Sequence, residues 1–171
     1  MAYGILFLRA VLGTIMSGHG AQKAFGWWGG PGRAGTIGFT RSLGFRVPVV
    51  AAFVLTSCEL FGGVLIALGL LTPFAGFAIA SVMVTAVALV HWTKGFWVAN
   101  GGYEFNLLIY AAAVALAATG GMRFSIDNAL GIADNLSGLW WGVGAAGAAL
   151  LTSATMLTLG RRHPAGAAQP A

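Results

Sequence analysis

Four side chains able to move protons or to hold a polar headgroup fall at the ends of apolar runs: His19, Lys23, His91 and Glu104. Imidazole and carboxyl groups exchange protons near neutral pH when their surroundings tune them, and an ammonium or amide donates to a carbonyl oxygen. Gln22 and Lys23 follow His19 by three and four positions, so a helix persisting that far carries all three on one face. Tyr103, Asn106 and Tyr110 share a face of a later helix, next to Glu104, which sits where a helix N-terminus favours a carboxylate. Trp27, Trp28, Trp92, Phe96 and Trp97 surround the same stretches. Aromatic walls with a few converging donors suit a quinone or similar apolar headgroup, although membrane interfaces gather Trp and Tyr whatever the function. The ligand-binding set expected is therefore His19, Gln22, Lys23, His91, Tyr103, Glu104 and Asn106, with no catalytic residue assigned.

Two further charges lie inside apolar runs, where a lone charge is costly. Arg9 stands ten residues before His19 and Glu59 eleven after Pro48, which by that count puts them at one depth and predicts a structural ion pair. Gly62 and Gly63 remove bulk from the face of Glu59 and would admit a backbone, an Arg side chain or a ligand edge. His19, His91, Glu59 and Glu104 are the candidate metal ligands, since imidazole with carboxylate suits zinc or non-haem iron. No His-x-x-x-His or Glu-x-x-His spacing supports them, so metal ranks below quinone, and haem lower still because both histidines sit at helix ends. The single cysteine, Cys58, excludes an intramolecular dithiol and reads as an apolar filler.

The elements that must position these groups follow from composition. Of 171 residues 58% are hydrophobic and 8% charged, against roughly 25% charged in a soluble domain. Crossing ~30 Å of hydrocarbon takes about 20 helical residues. Continuous rather than alternating apolar runs argue for helices over barrel strands. The expectation is an all-α membrane protein, a polytopic helical bundle. Its helices are placed at about 2–17, 48–71, 73–92 and 103–119, with a further transmembrane helix within 131–160 and a disordered tail over 161–171. Leu71, Thr72 and Pro73 leave so short a turn that the second and third helices should be antiparallel neighbours. A short interfacial helix fits about 34–44, after the loop signal Gly26-Trp27-Trp28-Gly29-Gly30-Pro31-Gly32. The last apolar run carries Gly138, Gly142, Ala145, Ala146 and Ala149, a small-residue face suited to close packing within the chain or with a partner subunit.

No basic residue precedes the first run and Arg9 interrupts it, so the run is kept in the mature protein rather than read as a cleaved leader. Five crossings put Lys23, Arg33, Arg41, Arg46, Lys94, Arg161 and Arg162 on one side against Arg123 on the other. The positive-inside rule then orients the chain in an inner, cytoplasmic membrane with its N-terminus outside and its C-terminus cytoplasmic. The net charge of +5 is spread over loops, which points to anionic headgroups as partners and not to nucleic acid.

The segment His19-Gly20-Ala21-Gln22-Lys23-Ala24-Phe25-Gly26 resembles the HGxQKxFG signature of the DoxX family. Glu59-Leu60-Phe61-Gly62-Gly63 with Leu68 to Pro73, and His91 to Trp97 with Gly101 to Leu107, are similar to its second and third blocks. The resemblance covers about residues 5–130 within a DoxX-like core spanning 1–130. It implies a four-helix membrane core and a link to quinone-reducing, terminal-oxidase or other membrane oxidoreductase assemblies, with Arg9, His19, Gln22, Lys23, Glu59, His91, Tyr103, Glu104 and Asn106 at motif positions. The fifth helix departs from the family pattern and suggests a docking element for a partner subunit. The function expected is a membrane subunit of a quinone-linked redox or respiratory complex; the alternative is a non-catalytic scaffold or assembly factor.

Overall fold

The first apolar run does not stop at Ser17. In the computed structural model, which describes residues 1–162, α1 is one helix over Ala2–Phe25. No proline interrupts it, and the stop comes only at Gly26, whose left-handed φ of 75° turns its N–H back onto the Gln22 carbonyl at 3.1 Å. His19, Gln22 and Lys23 therefore belong to the helix's last turns instead of lying at or beyond its end. Of the tail expected over 161–171, all but Arg161 and Arg162 lies outside the described residues.

The other elements follow the apolar runs closely. α2 spans Gly32–Ser42 and α3 spans Pro48–Leu68, opened by a proline where a missing N–H costs nothing. Gly69 (φ 65°) and Leu71 (φ 49°) then reverse the chain, ending α3 three residues earlier than expected. α4 covers Thr72–Ala86, passes into a wide π-turn over Val87–His91 and tightens into a 3₁₀ turn at Trp92–Lys94. α5 is Glu104–Thr119, α6 the single turn Ile126–Ala129, and α7 Leu139–Thr158. The described residues thus form an all-helical polytopic bundle. α1, α3 and the stretch Thr72–Lys94 are long and apolar enough to cross a membrane; α5, with 16 residues, is a shorter apolar helix of about 24 Å. Phe7, Phe53 and Leu151 are each more than 70% exposed on the outside, which suits lipid rather than water.

Small residues set the helix spacing. A methyl group added at Gly13 of α1 would lie 2.6 Å from the Gly63 carbonyl oxygen and 2.7 Å from the Ala67 Cβ of α3. Gly20 sits against the Leu60 backbone in the same seam, and Gly63 against Ser17. Gly62 faces the other way, toward Ile79 of α4. Gly76 lets α4 approach the Ala113 carbonyl of α5, and Gly142 lets α7 approach Ala118. The small-residue face of α7, Gly142, Ala145 and Ala149, is thus buried within this chain against α4 and α5. Ser153 extends that contact, donating to the Ser81 carbonyl at 3.1 Å and accepting from the Thr85 hydroxyl at 3.0 Å. Gly13→Ala should lower stability by about 1–3 kcal/mol through overpacking, read as a reduced midpoint of helix loss in detergent, because backbone cannot yield as a side chain end can.

The two ends of the bundle are fastened differently. At one, Arg9 is fully buried and donates to three carbonyls: Ile66 and Ala67 at the end of α3, each at 3.0 Å, and Gly121 beyond α5 at 2.5 Å. Asp127 of α6, also fully buried, accepts from the Leu71 N–H at 2.7 Å, the Thr72 N–H at 3.1 Å and the Thr72 hydroxyl at 2.8 Å, capping α4. Both groups converge around Gly69, whose missing side chain makes room for the guanidinium and whose carbonyl accepts the Asp127 N–H. At the other end, Phe45 and Arg161 form an antiparallel bridge. Arg46 and Arg162 donate their N–H groups to Gly160 and Gly44, each at 2.9 Å, and the Arg161 Nε donates to Leu43 at 2.7 Å. Residues 161 and 162 are thus tied to the α2–α3 connection.

Candidate ligand-binding site

Arg9 and Glu59 do not pair. The seam of Gly13 against Gly63 and Gly20 against Leu60 runs α1 antiparallel to α3, so Arg9 faces the end of α3 while the last turn of α1, about four turns further on, brings Lys23 to Glu59. The Lys23 Nζ donates to Glu59 Oε2, with the side chains 21% and 5% exposed. The expected pairing counted depth from His19 as if α1 ended there, and α1 continues to Phe25. Lys23 takes the place assigned to Arg9, and Arg9 is satisfied by carbonyls.

This ion pair lies in the wall of a cavity of about 580 Å³ bounded by α1, α2, α3, α4 with its π-turn, α5 and α7. Its charged and imidazole lining is Lys23, Glu59, His19 and His91, joined by Asn106, Ser81 and the hydroxyls of Thr40, Thr85 and Thr152. Leu55, Phe77, Met83, Leu89 and Met156 represent the larger apolar part. Cavities of this size hold a drug-sized or cofactor-sized molecule, with few polar groups to orient it.

Each polar group is positioned by a local feature. The π-turn, in which the Trp92 N–H reaches back five residues to the Val87 carbonyl, rotates His91 off the helical course and into the cavity wall. His91 Nδ1 lies 2.7 Å from the Gly101 carbonyl oxygen. A carbonyl only accepts, so Nδ1 is the donor in this bond. Asn106, buried on α5, donates to the Met83 sulfur at 3.6 Å, a weak partner that a better acceptor can displace. Ser81 spends its hydroxyl on the Phe77 carbonyl at 2.9 Å.

Of the seven residues expected to bind ligand, the fold brings His19, Lys23, His91 and Asn106 to one cavity; Gln22, Tyr103 and Glu104 are not in its wall. The Gln22 backbone packs against Gly30. Tyr103 stacks on Trp92 (centroids 5.5 Å apart, planes at 17°) and meets Phe96 edge-on. Glu104 Oε2 accepts from the Val98 N–H at 2.9 Å and so holds the 95–103 loop, whose Val98, Gly101 and Gly102 close one side of the cavity. The metal candidates His19, His91, Glu59 and Glu104 do not assemble: among the described residues no three His, Cys, Asp or Glu side chains converge. Glu59 is committed to Lys23, His91 to Gly101 and Glu104 to Val98. Sequence reasoning missed Ser81 and Asp127. Ser81 and Thr85 stand four apart on one helix face, and Ser125 three before Asn128 is a readable capping pair that could have drawn attention to Asp127 between them.

A helical bundle with an apolar exterior, three helices long enough to cross a membrane and a cavity walled in part by a buried ion pair defines a polytopic membrane protein. The chain belongs to the DoxX family, whose profile matches residues 4–92. A relative from Bacillus subtilis (strain 168), named "Putative oxidoreductase CatD", is 34% identical over 124 residues, covering 72% of this chain and 84% of that protein. No solved structure matches. The profile takes in Lys23, Glu59 and His91 and ends before Asn106 and the wall of α7.

Proposed function

We propose that this chain is the membrane subunit of a quinone-linked redox complex, crossing an inner membrane five times with the cavity toward the cytoplasmic side and electrons supplied by a partner protein. The observation that carries the reading is the cavity itself, apolar over most of its wall and furnished with Lys23–Glu59, His19, His91 and Asn106. Exposed Phe39 and Val54 in the same wall offer a route in from the lipid. Reduction of a quinone consumes two electrons and two protons. The partner delivers the electrons; the Asn106 amide and the Lys23 ammonium are donors for the carbonyl oxygens, and His91 and Glu59 are the groups able to pass protons. Membership of a family with a relative named as an oxidoreductase supports the class of reaction. The seven basic residues, Lys23, Arg33, Arg41, Arg46, Lys94, Arg161 and Arg162, support the orientation.

The test is binding of a short-chain benzoquinone to purified protein, followed by tryptophan fluorescence. Asn106→Leu and His91→Ala should each weaken binding by about threefold to tenfold, one lost hydrogen bond apiece, with unchanged melting. Tyr103→Phe, outside the cavity, should leave it unaltered. Absence of saturable binding to the parent protein would reject the reading. One observation favours the alternative of a non-catalytic scaffold: among the described residues no buried side-chain nitrogen or oxygen lacks a hydrogen-bond partner, so the polar network closes without a ligand. On that reading the His91 and Asn106 substitutions lower abundance and nothing else.

A further inference from the structure

A second, open groove of about 580 Å³, sharing Lys23 with the first cavity, lies between the last turn of α1, α2 and α3. We propose that it is a binding site for an anionic phospholipid. Its α3 wall runs from Val49 to Phe61, about 18 Å at 1.5 Å per residue, close to one leaflet's half of the ~30 Å hydrocarbon core. Val49, Val50, Phe53 and Phe61 are exposed along that wall and form a track for an acyl chain. The two charged residues that line the cavity, Lys23 and Arg33, are both basic, and no acidic side chain shares the wall. Arg33 is exposed and enters no ion pair among the described residues, so its guanidinium is available to a phosphate, the partner its planar fork fits best. Thr36, one turn further along α2, spends its hydroxyl on the Lys23 and Gly32 carbonyls, which fixes α2 against the end of α1 and keeps the groove open between them. A zwitterionic lipid would fill the apolar track equally well, but its own ammonium offsets the phosphate that Arg33 meets; an anionic one leaves a net negative charge there for Arg33. The site stands independently of the quinone reading.

Native mass spectrometry of the full chain in detergent, titrated with phosphatidylglycerol, phosphatidylcholine of matched acyl chains, or sodium phosphate, decides the matter. Phosphatidylglycerol should be retained about fivefold or more over phosphatidylcholine, the preference one basic side chain confers near an anionic headgroup. Arg33→Glu should abolish that preference, while Arg41→Glu, on the same helix and outside the cavity, should keep it. Arg33→Gln serves in its place should the reversal fail to fold, and should remove most of the preference. Equal retention of the two lipids by the parent protein, or a preference surviving both Arg33 substitutions, overturns the proposal. Displacement of phosphatidylglycerol by sodium phosphate at similar concentration would mean a bare anion site and also overturns it.

Discussion

Lys23→Met is expected to cost about 3–5 kcal/mol of stability, and adding Glu59→Gln to it to restore roughly half of that loss. The reason is the state in which the single substitution leaves Glu59. Its carboxylate is 5% exposed on a helix inside an apolar bundle, and the Lys23 ammonium is its ion-pair partner. With that partner gone the carboxylate must stay charged in a low-dielectric site or take up a proton, and either is unfavourable. The double variant replaces an orphaned charge with a neutral amide of the same shape. The measurement is a double-mutant cycle by equilibrium unfolding in mixed micelles. A coupling above about 1 kcal/mol between positions 23 and 59 is expected, whereas positions 9 and 59 should be additive within about 0.5 kcal/mol. Strong coupling of Arg9 to Glu59 would show that the assignment of partners is wrong.

The second large effect is at the opposite end of the bundle. Asp127→Ala should destabilise by about 3–5 kcal/mol, because the Thr72 N–H and hydroxyl lose their acceptor in a fully buried place and the part-buried Leu71 N–H loses its own. Arg9 would also lose the nearby carboxylate that shares its surroundings at Gly69. Thr72→Val removes one of the three bonds and should cost about 1 kcal/mol. Unfolding curves of the two variants, taken in the same micelles, should therefore separate by about 2–4 kcal/mol. Near coincidence of Asp127→Ala with the parent would mean that the α6 turn is dispensable to the bundle.

The helices were legible because a membrane-crossing element needs continuous apolar sequence, and those runs stand out whatever they pack against. Even the short turn before α4 and the proline in its first turn could be read directly. What failed was the end of α1. His19, Gln22 and Lys23 are polar and precede a glycine-rich loop, so they resemble a connection, yet nothing in them forbids helical geometry, and only Gly26 stops the chain. That slip of two turns displaced the depth count and paired Glu59 with the wrong cation. Which cation it meets depends on how closely α1 slides along α3, and Gly13, Gly20 and Gly63 settle that through backbone contacts no pattern of residue types reports. Part of the grouping was legible: His19, Lys23, His91 and Asn106 line one cavity. Tyr103 and Glu104 fell outside because the loop before α5 folds back on itself, with the Glu104 N–H on the Phe96 carbonyl at 2.9 Å, and consumes both side chains. The π-turn that presents His91 had no sequence signal, since an extra residue in a helical turn leaves the apolar pattern nearly intact.

The clasp between residues 44–46 and 160–162 bears on biosynthesis. Phe45 and Leu43 of the early connection and Thr152 and Met156 of the last helix are facing parts of one enclosure, and the backbone bonds joining the two segments cannot form until the ribosome has passed residue 162. Until then that flank of the cavity lacks the backbone bonds that fix it, so its final shape is set only once the last helix is in place.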